Sequence, residues 1–229
     1  MSVSETTSHF WIANPPAFSS TIFIASEDQA AVDGRIPTSL EIFDIDGVKV
    51  NTVDVEFPAK EVGVIELEPF ASALKMQGGI AHGHVRIRSP RGTRHVCRQT
   101  IGTSVAVYQD PVPVRLRESA FVPLVLGGRR EHMLVLVNTS EEEGQLACRF
   151  FYGNRSPEWT LTIPALGSRV VSVENELLDS ADDKAWEKGA VQAYVRLTGR
   201  HNAAISGHVI ERMLGESPAD DAYRCLTSW

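Results

Sequence analysis

Alternation of apolar and polar positions with a period of two runs through most of this chain. Across residues 52–57, Val53, Val55 and Phe57 fall on one face, and Thr52, Asp54 and Glu56 on the other. That is the pattern of a half-buried strand. Trp159, Leu161 and Ile163 alternate in the same way with Thr160 and Thr162, as do Leu146, Cys148 and Phe150 with Ala147 and Arg149. Turn signals separate the runs: Ile45-Asp46-Gly47, Ser89-Pro90-Arg91-Gly92, Tyr152-Gly153-Asn154 and Thr198-Gly199-Arg200-His201. Short alternating runs broken by such turns predict an antiparallel sandwich or barrel.

The pattern occurs twice. Between residues 10–101 and 121–214 the same landmarks return in the same order. The apolar run Thr21-Ile22-Phe23-Ile24-Ala25-Ser26 matches Leu134-Val135-Leu136-Val137-Asn138-Thr139, Phe57-Pro58-Ala59 matches Ile163-Pro164-Ala165, and Val85-Arg86-Ile87 matches Val195-Arg196-Leu197. Self-similarity at this spacing sets the architecture ahead of any motif. We therefore expect an all-β fold of two tandem antiparallel β-sandwich domains from an internal duplication, residues 1–110 and 111–216, followed by a polar C-terminal tail, 217–229. Each repeat carries one short helical insert. In the first, over 68–78, Pro69 suits the first turn and Gly78 the stop. In the second, over 180–189, Ser180 and Asp183 stand at capping-box spacing. The first repeat has an enlarged loop at 29–37. The segment 110–114 is a stiff connector with Pro111 and Pro113. Leu226 and Trp229 are odd residues for a free tail, and are expected to dock on this subunit or a neighbour.

Composition narrows the class. The chain has 229 residues, 43% hydrophobic and 22% charged, ordinary for a globular protein. Net charge is −7, shared evenly by the halves, which makes nucleic acid an unlikely partner. The first 20 residues lack a basic start and an apolar stretch, and no apolar run approaches a membrane span. Cys97, Cys148 and Cys225 have no recognisable pairing pattern, so a cytoplasmic setting without membrane insertion is expected.

Each half opens on an aromatic start such as Phe10-Trp11-Ile12-Ala13. An apolar strand follows, ending in Asn138-Thr139-Ser140-Glu141-Glu142, and then a strand with paired aromatics, Phe150-Phe151-Tyr152. After a turn come Thr160-Leu161-Thr162-Ile163-Pro164-Ala165, a helical insert and a final strand pair. This order resembles the small soluble β-sandwich family typified by the cyanobacterial sensory rhodopsin transducer. The likeness covers most of 121–214 and, more weakly, 10–101, with one such domain per chain in that family and two here. The resemblance implies a non-enzymatic, oligomer-forming, partner-binding sandwich, and carries over no binding residues.

The strongest chemical anomaly is the segment 82–98, with five arginines, three histidines and no acidic residue. Strand periodicity puts His82, His84, Arg86 and Arg88 on one face; Arg91, Arg94 and Arg98 follow. Such a basic strand face binds a phosphate or a carboxylate-rich partner, or else is a solvated face whose arginines pair with acidic residues on the neighbouring strand. The matching strand carries Gln192, Tyr194, Arg196 and Thr198, so the fold does not impose the stripe. His82 and His84 share a face as two metal ligands would, but no third ligand is adjacent and the arginines repel a cation. His201 and His208 join them only if the two domains face each other. No nucleophile elbow or phosphate loop is present. The acidic turn Glu141-Glu142-Glu143 and the basic stripe suit head-to-tail association within or between chains, and with Leu226 and Trp229 they are the candidates for self-association.

The function expected is a non-catalytic structural or adaptor protein that forms a homo-oligomer and binds a protein partner, with no cofactor and no metal. The alternatives are a carbohydrate- or anionic-ligand module, a capsid, tail or filament component, and a hydrolase with its site between the domains.

Overall fold

The computed structural model describes residues 5–13, 18–26, 34–102, 104–109, 111–178, 185–215 and 221–229. Strands take up 69% of it and helical turns 6%, so the fold is all-β. The strands are β1 Glu5–Ala13, β2 Phe18–Ser26, β3 Arg35–Phe43, β4 Lys49–Pro58, β5 Gly63–Glu66, β6 Lys75–Gln77, β7 Ile80–Pro90, β8 Thr93–Ile101 and β9 Ser104–Gln109 in the first half. The second half holds β10 Val114–Arg115, β11 Ser119–Leu126, β12 Arg130–Asn138, β13 Gly144–Tyr152, β14 Glu158–Ile163, β15 Ser168–Ser172, β16 Val191–Gly199, β17 Ala204–Met213 and β18 Ala222–Ser228.

They form four antiparallel sheets. Sheet 1 has the order β1-β7-β3-β4, with β6 added to β7, and sheet 2 the order β5-β2-β8-β9. Sheet 3 is β11-β16-β13-β14; sheet 4 is β15-β12-β17, with β10 and β18 sharing the far side of β17. Sheet 3 repeats sheet 1 strand for strand, and sheet 4 repeats sheet 2. Sheets 1 and 2 enclose one core, built around Phe10, Ile22, Leu40, Ile42, Val85 and Cys97. Sheets 3 and 4 enclose another, around Val122, Leu134, Cys148, Phe150, Val195 and Val209. The inward positions are the alternating residues of each strand, as half-buried sheets require.

Cross-strand register gives the equivalence residue by residue. Phe10 pairs with Val85 as Val122 pairs with Val195. Ile22 lies between Ile65 and Cys97 as Leu134 lies between Val171 and Val209. The matches at Pro58 with Pro164 and at Val85 with Val195 agree with this register. The match of Thr21 with Leu134 is one residue out: Thr21 corresponds to Met133. A one-residue slip moves every side chain to the opposite face, and Ile22 faces its core whereas Val135 faces the other half.

The inserts are helical turns of different kinds. In the first half Glu68–Ala73 is a 3-10 turn leading into β6. In the second, Val173–Leu177 is a π turn capped by Ser172, whose side chain accepts from the Asn175 N–H, and Ala185–Glu187 is a short 3-10 turn. Ser180 and Asp183 lie outside the described residues, as do residues 29–33 of the enlarged loop and 217–220 of the tail; residues 35–37, expected in that loop, instead begin β3. From Ala222 the tail is an edge strand, not a loose segment. Trp229 and Gly207 exchange backbone hydrogen bonds of 2.9 and 3.0 Å, and Leu226 and Trp229 pack on the second core.

A third apolar cluster joins the halves. Trp11, Ala13, Phe18 and Ile101 meet Val135, Val137, Val170 and Ile210. Thus the outer face of sheet 4 lies against β1 of sheet 1 and the adjoining end of the first sandwich.

Candidate functional site

The basic segment does not make one surface, because β7 and β8 belong to different sheets. His82, His84, Arg86 and Arg88 share the outer face of sheet 1, as the alternation predicts. Arg98 lies on the outer face of sheet 2, its guanidinium over Phe23 at 5.4 Å with Thr21 and Glu66 beside it. Arg94 is exposed on that strand, and Arg91 is exposed in the turn between β7 and β8. His95 points inward and is bonded to Ser8 and Ser89 at 2.9 and 3.0 Å.

On sheet 1 the stripe meets the second half of the chain. His84 Nδ1 is 2.8 Å from the Leu166 carbonyl oxygen, which only accepts, so this nitrogen carries the proton. His84 Nε2 is then the acceptor for His9 Nδ1–H at 2.7 Å. His82 Nδ1 contacts Ser168 Oγ at 3.0 Å, and its Nε2 contacts Gln77 Oε1 at 3.2 Å. The same Gln77 oxygen accepts the Val170 backbone N–H at 3.0 Å, so His82 Nε2 donates and Nδ1 accepts from Ser168. Gln77 thereby covers part of β15, the edge strand of sheet 4. Arg86 bonds Glu41 at 2.8 Å on the neighbouring strand and Glu141 at 2.5 Å across the junction. Arg88 lies 3.5 Å from Glu41.

These histidines are neutral at physiological pH. Burial lowers His82 and His84 to about 4 and His208 to about 3. Burial, then the neighbouring His84 and Arg86, takes His9 to about 2. His208 does reach the junction, but Trp11 stands between it and His82, with ring centroids 5.4 and 5.8 Å away. Among the described residues no group of three or more His, Cys, Asp or Glu side chains is arranged to hold a metal ion. Ser206 and His208 line a hollow of about 20 Å³ with Trp11, Gln99 and Tyr108. That volume admits one water-sized group and no substrate.

The acidic turn divides likewise. Glu141 reaches Arg86, whereas Glu142 and Glu143 are exposed, the turn being shaped by Asn138 Nδ2 donating to the Glu142 carbonyl at 2.7 Å. Leu226 and Trp229 are taken up by their own subunit.

Two arrangements have no signature in the sequence. The first is a buried charged row inside the second sandwich. His132 Nδ1 lies 2.6 Å from Glu174 Oε1, and Nε2 lies 3.3 Å from Glu211 Oε2. Arg224 Nε stands 2.6 Å from Glu211 Oε1. His132 and Glu211 are sealed from solvent, so the row is closed to any substrate. The equivalent cross-strand pair of the first half is Ser20 with Gln99.

The second is the outer face of sheet 3. Phe151 and Tyr194 stack with centroids 4.5 Å apart and planes 10° apart. Arg149 and Arg196 lie 5.4 and 5.8 Å from the Phe151 ring. Phe121 is 63% exposed and Tyr194 43%. Position for position this repeats sheet 1, where Phe43 stacks on His84 at 5.1 Å and Arg86 lies 5.2 Å from the Phe43 ring. On sheet 1 that platform receives Leu166 and Glu141. On sheet 3 it faces outward.

No family model matches this chain, and no curated protein does.

The face of sheet 3 is spread over β11, β13 and β16, and the charged row over β12, β17, β18 and the π turn. Neither leaves a local motif. The register between the repeats is the one signal that leads to both.

Proposed function

We propose that this is a non-catalytic structural or adaptor protein that works by protein contact through its sheet faces and self-associates. The observation that carries the reading is the doubled platform: the aromatic stack lies under polypeptide on sheet 1, whereas on sheet 3 Tyr194 and Phe121 are exposed and Phe151, Arg149 and Arg196 half-buried. An aromatic and arginine surface of this kind is the composition of protein interfaces. The likeness of each half to the soluble rhodopsin transducer family points the same way. Cytoplasmic placement is supported by Cys97 and Cys148, buried thiols outside any disulfide, the latter pushed up to about 12 by burial.

A photoreactive benzoylphenylalanine at position 121, in the cells that make the protein, tests the reading. The expected product is a covalent adduct with polypeptide. Labelling of water or small molecules alone, with no polypeptide adduct, overturns it.

An anionic-ligand module is the second reading. A hollow of about 650 Å³ lined by Phe151, Arg155, Gln192 and Tyr194 adjoins the platform. A thermal shift with acidic sugars, lost in Tyr194→Ala, is the result that separates it from the first.

A further inference from the structure

We propose that copies of this chain assemble head to tail, the outer face of sheet 3 in one copy receiving the outer face of sheet 2 in the next. The proposal rests on the reading of sheet 3 as a protein-contact face, and it names the occupant.

Within the chain, the outer face of sheet 4 already covers part of the outer face of sheet 1. Sheet 3 is the counterpart of sheet 1, and sheet 2 is the counterpart of sheet 4. Each chain therefore presents an uncovered platform on one half and an uncovered covering face on the other. Among the described residues, five of the exposed large apolar side chains fall in these two places, the others lying in turns, the connector, β6 and strand ends. Besides Phe121 and Tyr194 on sheet 3, Val64, Val105 and Val107 on sheet 2 are 50%, 61% and 63% exposed.

The correspondence extends to single positions. Val135 and Val170, cross-strand neighbours on the covering face of sheet 4, become Phe23 and Val64, cross-strand neighbours on sheet 2. Trp11 and His84 on the occupied platform become Pro123 and Tyr194 on the free one, again cross-strand neighbours. The Val135–Val170 pair is thus apolar in both registers, while Ile210 of the covering cluster becomes Arg98; burying the apolar part drives association.

Charge argues against the symmetric alternative. Arg149 and Arg196 are direct cross-strand neighbours on sheet 3, where sheet 1 has the complementary pair Glu41 and Arg86. Two copies of sheet 3 face to face would set these arginines against one another. The outer face of sheet 2 sets Glu66 beside Arg98 at 3.9 Å, with exposed Arg94 on the same face, so its charge is mixed where the facing pair on sheet 3 is wholly positive. A contact between two different faces is heterologous, and repeats into a ring or a filament.

The test uses the full chain in sedimentation velocity and light scattering over a concentration series. A platform variant carries Phe121→Lys and Tyr194→Lys, and a cover variant carries Val64→Lys and Val107→Lys. All four positions are exposed, and circular dichroism melting verifies the fold of each. The wild-type chain is expected to form species larger than a dimer as concentration rises. Each variant alone is expected to be monomeric, and an equimolar mixture to stop at dimers, since each partner keeps one intact face. Three results overturn the proposal: a wild-type monomer throughout, a cover variant that still dimerises by itself, or oligomers that neither variant disturbs. A monomeric wild type whose position 121 still crosslinks to a different polypeptide sinks the head-to-tail assembly and leaves the contact reading standing. A monomer without any such adduct sinks both.

Discussion

Arg86 and Arg196 stand at the same place in the two halves, but only Arg86 receives a carboxylate from across the junction. Its guanidinium joins Glu41 on β3 to Glu141 in the β12–β13 turn. The two acids are not equal partners. The Glu41 side chain is 12% exposed and that of Glu141 71%. Burial pushes the Glu41 carboxyl up, yet hydrogen bonds from Arg86 and Lys49 outweigh it and hold the group below the usual carboxylate range. Arg86→Ala leaves Glu41 to Lys49 at 3.1 Å and Arg88 at 3.5 Å, and is expected to cost about 1–3 kcal/mol. Glu141→Gln removes an exposed partner and is expected to cost less than about 1 kcal/mol. Urea unfolding of both variants measures the difference; equal losses would mean the junction pair, not the sheet pair, anchors Arg86.

Acid is expected to loosen the junction and the first core together, since inward-facing His95 is also lowered by burial, to about 4. His82, His84 and His208 are buried neutral, with pKa values near 4, 4 and 3 against 6.5 when unfolded. Above about pH 6.5 neither state takes up these protons and the stability is complete. As pH falls towards 4 the unfolded chain binds them and the folded chain does not. Each such histidine then costs up to about 1.4 kcal/mol per pH unit. Melting temperature is expected to drop steeply between pH 6.5 and 4, and the slope to be shallower in His84→Gln. A flat profile over that range would show that the buried rings are not the titrating groups.

How far these sites were legible depends on what covers each face. Alternation set His82, His84, Arg86 and Arg88 on one side of β7, and that holds, because Val85 and Ile87 point to a core and give the period-two contrast. It is silent on what lies over the stripe, since Leu166 and Glu141 come from turns distant in the chain. In β12 the contrast vanishes: Leu134 and Leu136 enter the second core while Val135 and Val137 enter the junction. With both faces apolar the strand has no polar side to fix its phase, and the repeat match slipped there by one residue. The matches at Pro58 and Val85 held because a turn proline and an arginine within an apolar run have only one phase. His132 and Glu211 were invisible for a related reason: each stands beside other polar residues at the end of its strand, Arg130 and Glu131 in β12 and Arg212 in β17, and the partnership exists only across the sheet.

The β3–β4 turn brings backbone of the first half against backbone of the second. Gly47 has φ of +78°, and a Cβ there would lie 1.8 Å from the Ala165 carbonyl oxygen. The neighbouring Ile45 carbonyl accepts the Ser168 N–H at 3.2 Å. Gly47→Ala therefore carries a conformational cost and a collision, and the collision forces the turns apart. The expected outcome is faster hydrogen exchange at Ser168 and Val170, with the inward residues of both sandwiches protected as before. Exchange that rises uniformly over the first sandwich would instead locate the damage in that fold alone.

The buried charged row of the second sandwich has an alternative written in the first. Cross-strand neighbours His132 and Glu211 occupy the positions held by Ser20 and Gln99, beside core pairs that are otherwise alike, Leu134 with Val209 and Ile22 with Cys97. Removing the imidazole leaves Glu211, fully buried, with Arg224 at 2.6 Å and Arg130 at 3.6 Å, and leaves Glu174 without a partner for Oε1. His132→Ser is expected to destabilise by about 1–3 kcal/mol, the cost of buried acceptors that lose their donor. Adding Glu211→Gln removes the buried charge and reproduces the pair the first half uses. The double variant is expected to regain at least half of that loss, because a neutral amide needs only hydrogen bonds where a carboxylate needs a counter-charge. A double-mutant cycle in urea reads the coupling directly. If the two losses simply add, His132 and Glu211 stabilise the sandwich independently, and the row is not the single electrostatic unit that its distances describe.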